Sequence, residues 1–166
     1  MNEPNATGQG APDALRDSPG VIIFPPVLFI GTLLLGLLLH YFWRIHVAQG
    51  PGVRVVGVTL AVASIALAVW GSKTMRREGT NVMPTKPALT IVTDGPFRFS
   101  RNPLYLANVI FYTGLSLAFN AVWPLVLLAP MLFVVHWGII RREERYLESK
   151  FGDTYRTYKA RVRRWF

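Results

Sequence analysis

Residues 102–140, NPLYLANVIFYTGLSLAFNAVWPLVLLAPMLFVVHWGII, run for 39 positions without one Lys, Arg, Asp or Glu. As a single helix this run would extend about 58 Å, nearly twice the roughly 30 Å of a bilayer's hydrocarbon core. It must fold back. Phe119-Asn120-Ala121-Val122-Trp123-Pro124 supplies the corner, because Asn and Pro favour turns. The result is a tight helical hairpin of two spans, each about 17 residues long.

Outward from this hairpin the pattern repeats. Val55 to Ser72 and Gly20 to Trp43 are also free of charged residues. A soluble domain intersperses charges so that each helix keeps a wet face; here 51% of residues are hydrophobic and the charges are bunched. The first span is expected over Val21–Trp43, with Pro25 and Pro26 near its start, where missing backbone donors do least harm. Tyr41 and Trp43 stand where an aromatic belt would lie. After the turn-forming Gln49-Gly50-Pro51-Gly52, a second span covers Val53–Gly71. Its Gly57, Ala61, Ser64 and Ala68 form a small-residue stripe for close packing, against this chain or another copy. The expected fold is an all-α integral membrane protein of about four transmembrane helices.

Three regions follow: a flexible N-terminal tail over 1–20, two transmembrane helices over 21–71, and a core over 72–166. The tail is rich in Gly, Pro, Ala, Asn and Asp without apolar periodicity. Its net acidic character lacks the basic n-region of a cleaved signal, so the first span is read as retained. Asn5-Ala6-Thr7 fits a glycosylation sequon but falls on the wrong side of the expected topology. The formal net charge is +9, and 16 of the 18 Lys and Arg residues fall in the tail, the 72–101 connector and the segment from Arg141 onward. With four spans those three segments share one side, which the positive-inside bias makes cytoplasmic, with both termini on it. A nucleic-acid binder would instead carry its basic residues as a face on a soluble domain. Oligomeric state stays open.

The last segment is itself patterned. Leu147, Phe151, Tyr155, Tyr158 and Val162 fall on one helical face, predicting an amphipathic helix anchored among headgroups. Gly152-Asp153 should divide it, with Asp153 capping the second piece.

The absence of Cys excludes disulfides, Cys-ligated zinc and thiol nucleophiles. His40, His46 and His136 are scattered, which argues against a metal site. Neither GxGxxG nor GxxxxGK[ST] occurs, so a nucleoside cofactor would not sit on a Rossmann-type fold. Two dense polar segments remain, Asp94–Tyr105 and His136–Glu144, and the hairpin brings them together at one membrane border. There His136, Ile140, Glu143 and Glu144 lie one or two helical turns apart, beside Arg141 and Arg142. Taken alone, Arg-Arg-Glu-Glu reads as a solvated helix end, and Asn102-Pro103 as a helix cap and first turn. Gly79-Thr80-Asn81-Val82-Met83-Pro84 reads as a flexible connector, with a lid over the site as the alternative.

Gly95-Pro96-Phe97-Arg98-Phe99-Ser100-Arg101-Asn102-Pro103-Leu104-Tyr105-Leu106, followed by the fold-back and then Glu143-Glu144, Leu147, Phe151-Gly152, Tyr155, Tyr158 and Arg161-Val162, resembles the isoprenylcysteine carboxyl methyltransferase family and the related phospholipid methyltransferases. The resemblance runs from about Thr90 to Phe166 and includes the order and spacing of its parts. It implies an S-adenosylmethionine-dependent membrane methyltransferase with a helical cofactor pocket and a hydrophobic or lipid-like acceptor, such as an isoprenylcysteine-type carboxylate. Carried over by position, Asn102, Tyr105, Glu143 and Glu144 become cofactor-binding candidates, joined by Arg98 and Arg101. Glu144, His136 and Arg141 become the catalytic candidates. Two departures stand out: many relatives have His at the position of Asn102, and Pro at that of Arg163. Asn cannot act as a base near neutral pH, which leaves His136 as the imidazole available for an amine or thiol acceptor. The pattern is shared less closely with NADPH-dependent membrane sterol reductases, and an inactive scaffold of the same fold is a third reading.

Overall fold

The computed structural model describes residues 24–83 and 85–165. The expected N-terminal tail, its sequon and the first residues of the first span lie outside them. The described residues form six α-helices and no strand: α1 Pro25–Phe42, α2 Gly52–Arg77, α3 Pro103–Ala118, α4 Val122–Val134, α5 Arg141–Phe151 and α6 Asp153–Arg161. A 3₁₀ turn, Gly95–Arg98, precedes α3, and a π-helical segment, Val135–Ile140, joins α4 to α5 without a break. Three helices are long and apolar enough to cross a membrane: α1, α2 and the continuous Val122–Phe151 helix. The fourth, α3, is apolar but has 16 residues, about 24 Å. This is a multi-pass membrane protein.

Two helices run past their expected ends. α2 continues beyond Gly71 to Arg77, because Ser72-Lys73-Thr74-Met75-Arg76-Arg77 holds no breaker. It stops where Gly79 takes a positive φ of 72° and Thr80 N–H donates back to the Met75 carbonyl. The fourth span likewise passes Ile140 into α5. Its apolar part ends there, since the charges of Arg141, Arg142, Glu143, Glu144 and Arg145 place α5 outside hydrocarbon.

Packing pairs the helices across the hairpin. α3 lies along α2, and α4 along α1. The small-residue stripe of α2 is used within the chain: a Cβ added at Gly114 of α3 would stand 2.7 Å from the Ala61 nitrogen and 2.8 Å from the Gly57 carbonyl. Only glycine allows the two backbones so close. At α1, Gly36 meets Pro124 of α4 in the same way. The α3–α4 corner turns at Asn120, a non-glycine residue at φ 53°. Its side chain accepts from the N–H groups of Val47 and Ala48 and donates to the Ala48 carbonyl, which offsets the backbone strain and ties the corner to the α1–α2 connector.

The C-terminal segment departs from expectation. The chain does break at Gly152, whose φ is 54°, but Asp153 does not cap α6. Gly152 holds the cap position, and Asp153 instead pairs with Arg156 at 2.8 Å. The aromatic face of α6 turns into the protein rather than toward headgroups. Tyr155 and Tyr158 are buried, and the Tyr158 hydroxyl donates to the Phe97 carbonyl at 2.8 Å. Trp165 packs against the buried core of the bundle.

Candidate functional site

The site is built at the end of the bundle where α2 ends, α3 begins and α5 leaves the membrane. The 3₁₀ turn and Pro103, at the first position of α3, aim residues 100–105 inward. Asn102 holds the helix cap position, yet its side chain does not cap the helix; its amide donates to the Arg164 carbonyl at 3.2 Å. Ser100 donates to the same carbonyl, and Arg101 N–H donates to the carbonyl of Arg163. The residues after α6 are thus strapped across the start of α3.

Glu144 is buried at the centre, 6% exposed. Arg164 grips both its oxygens, Nε at 3.0 Å and Nη2 at 2.6 Å, while Arg101 Nη1 stands 3.2 Å from Oε1. Two guanidiniums against one carboxylate leave an excess positive charge. Arg101 is the less satisfied member: its buried Nε has no hydrogen-bond acceptor, and its Nη1 has only the 3.2 Å ion pair with Glu144. Buried donors left unmatched are costly, so this arrangement suits an arriving anion.

Glu143 is separate. It accepts from the Tyr105 hydroxyl at 3.1 Å. Burial pushes its carboxyl up to about 7, the charge of Glu144 adds to the rise, and the Tyr105 bond opposes it. Burial and the same Glu144 charge push Tyr155 up to about 12, which keeps its hydroxyl protonated.

Two cavities meet here. One, of about 90 Å³, is polar at its floor, with Arg101, Asn102, Glu143, Glu144, Tyr155 and Tyr158, and is walled by Thr80–Val92 of the connector. That wall is held in place: Asn81 donates to the Pro87 carbonyl, Leu89 N–H to Thr80, and Ala88 N–H to the Tyr146 hydroxyl. The connector therefore serves as a fixed side of the site, with Pro84 outside the described residues. The second cavity, about 330 Å³, is mainly apolar and reaches between α1, α2 and α3 past Phe24, Ala68 and Leu104. Arg101, Asn102, Phe97 and Glu143 line both. Together they enter the size range of small-molecule sites, roughly 300–1,000 Å³.

Of the residues singled out from sequence, Arg101, Asn102, Tyr105, Glu143 and Glu144 converge. Arg98 is exposed. Arg141 stacks on Trp137 at 4.1 Å on the outer surface. His136 lines neither cavity; its Nε2 lies 3.3 Å from Arg164 Nη1. Arg164, Ser100 and the inward use of Tyr155 were not anticipated. The one signal for Arg164 is the basic cluster Arg161-Val162-Arg163-Arg164, which reads as surface charge until the strap is seen.

A 34-residue stretch, 20% of the chain, is 62% identical to an uncharacterized protein of Haemophilus influenzae, covering 54% of that protein. A 64-residue stretch, 39% of the chain, is 33% identical to the cobalt-zinc-cadmium resistance protein CzcN of Cupriavidus metallidurans, covering 30% of it. The matches thus span about half the length of the first relative and under a third of the second. Residues 53–154, more than half of the chain, match the phospholipid methyltransferase family, and this stretch contains all but the first residue of α2, the connector, the hairpin and the Glu143-Glu144 pair. The chain belongs to that family of integral membrane methyltransferases.

Proposed function

We propose that this protein transfers a methyl group from S-adenosylmethionine to a lipid-like acceptor at the cytoplasmic face of the membrane. The observation that carries this reading is Arg101, whose buried Nε lacks an acceptor, at the wall shared by a cavity with a polar floor and a mainly apolar one. S-Adenosylmethionine brings a carboxylate, an ammonium group and a sulfonium methyl. Arg101 would hold the carboxylate, with Glu144 and Arg164 fixing its guanidinium. Glu143, beside Tyr105, would hold the ammonium or a ribose hydroxyl. When bound, the cofactor would supply an electrophilic methyl carbon to the acceptor's lone pair, with the carbon–sulfur electron pair retained by the departing sulfide. The protein's contribution is alignment of the two partners.

The acceptor would enter through the apolar cavity from the bilayer. Isoprenylcysteine-type carboxylates and phospholipid amines both fit this entry. A carboxylate needs no base. An amine must lose its proton, and Glu143 stands at the shared wall with a carboxyl near 7, whereas His136 is outside both cavities. The cytoplasmic assignment rests on the concentration of Lys and Arg in the connector and the C-terminal segment.

The test is to supply detergent-solubilised protein, with total membrane lipid, with methyl-labelled S-adenosylmethionine and count the organic extract. Label in lipid, lost on adding S-adenosylhomocysteine, is expected. An unlabelled extract together with lipid-dependent NADPH oxidation would replace this reading with a reductase.

A further inference from the structure

α3 does not close on α1 as it closes on α2. An apolar cavity of about 200 Å³ lies in the open seam, between Phe29 and Leu33 of α1 and Tyr112 of α3. It adjoins the 330 Å³ compartment at Pro26 and Asn108, which line both. Ile30 and Phe111 form its exposed lips. Among the described residues a continuous groove thus runs from the site along the α1–α3 seam, open to the side.

Asn108 is anomalous in it. It sits within an apolar helix and faces hydrophobic walls, where an amide without a partner is costly. The other polar group, the Tyr112 hydroxyl, is committed to the Pro124 carbonyl at 2.9 Å. Asn108 makes no side-chain hydrogen bond among the described residues. Among the described residues nothing else claims its amide, so it can serve whatever occupies the groove.

We infer that Asn108 selects the acceptor, donating to an ester carbonyl of a glycerophospholipid whose fatty chain lies in the α1–α3 groove. This rests on the methyl-transfer reading above. Asn108 is six residues along α3 from Asn102, a rise of about 9 Å. In an aminophospholipid, nine covalent bonds, about 10 Å when extended, separate the amine from the second-chain ester carbonyl. With the amine at the shared wall, beside Glu143, that carbonyl falls at Asn108. A prenylated cysteine carries only a thioether and hydrocarbon at this reach and leaves the amide unmatched.

The experiment titrates the purified full chain in detergent with diacyl phosphatidylethanolamine and with its dialkyl ether analogue, read by native mass spectrometry. Wild-type protein should bind the ester lipid roughly fivefold more tightly than the ether, the worth of one hydrogen bond. Asn108→Leu should bind both equally, near the ether affinity. Equal binding by the wild type, a preference that survives in Asn108→Leu, or tighter binding of S-farnesylcysteine than of either lipid would each overturn the assignment. The wild-type comparison decides the matter even if the variant fails to fold. S-Adenosylmethionine titrated in parallel separates the two claims: an ester preference without cofactor binding keeps Asn108 and removes methyl transfer.

Discussion

α3 makes two seams, and they are opposites. Against α2 it is a joint, where Gly114, Gly57 and Ala61 bring backbone against backbone. Against α1 it is a groove, where Phe29, Ile30, Leu33, Phe111 and Tyr112 hold the helices apart. Lipid tails are as apolar as Leu, so burial alone gives two helices no reason to close in a bilayer. Close packing of small residues does. The same helix is thereby anchored on one side and left open on the other, and the open side leads to the site.

The joint should be the more sensitive of the two seams. Gly114→Leu places side-chain atoms where Ala61 and Gly57 backbone already stand, and should cost about 3 kcal/mol as overpacking. The expected result is loss of the folded peak in fluorescence-detected size-exclusion chromatography. The same change at Gly31 of α1, where nothing lies within 4 Å, should leave that peak intact. Equal tolerance at both positions would mean that the α2–α3 joint is not what holds α3.

A smaller effect sharpens the contrast between the two glutamates. Glu144 is paired with two arginines, whereas Glu143 has a hydroxyl for a partner and a carboxyl pushed up to about 7. The folded state thus holds the Glu143 proton more tightly than the unfolded chain, so stability falls as pH rises from about 4.5 to about 7 and is level above. Gln keeps an acceptor for Tyr105 and cannot ionise. Glu143→Gln should therefore melt a few degrees above wild type at pH 8 and level with it near pH 4.5. A difference independent of pH would contradict the burial of that carboxylate.

The membrane fold was legible because charge gaps and the small-residue stripe are direct consequences of bilayer physics. Phe119–Pro124 had to turn, and it does. Helix ends were less legible. α2 overran Gly71 since nothing before Gly79 stops it, and the fourth span overran Ile140 because a π segment is silent in composition. At the site, Arg101, Asn102, Tyr105, Glu143 and Glu144 converge as the hairpin geometry requires. Arg164 escaped notice because its role depends on a strap folding back over residues 100–102, a long-range contact that no local period encodes. For the same reason the α6 tyrosines read as a headgroup face rather than a lining.

The proposed chemistry depends on Arg101 holding a cofactor carboxylate through a guanidinium whose Nε has no acceptor in the protein. Calorimetric titration of purified wild-type and Arg101→Gln protein with S-adenosylmethionine tests it most directly. Wild type should bind in the micromolar range and Arg101→Gln at least tenfold more weakly, about 1.4 kcal/mol, with the fold intact. Equal affinity in the two proteins, or no binding by folded wild type, would contradict it.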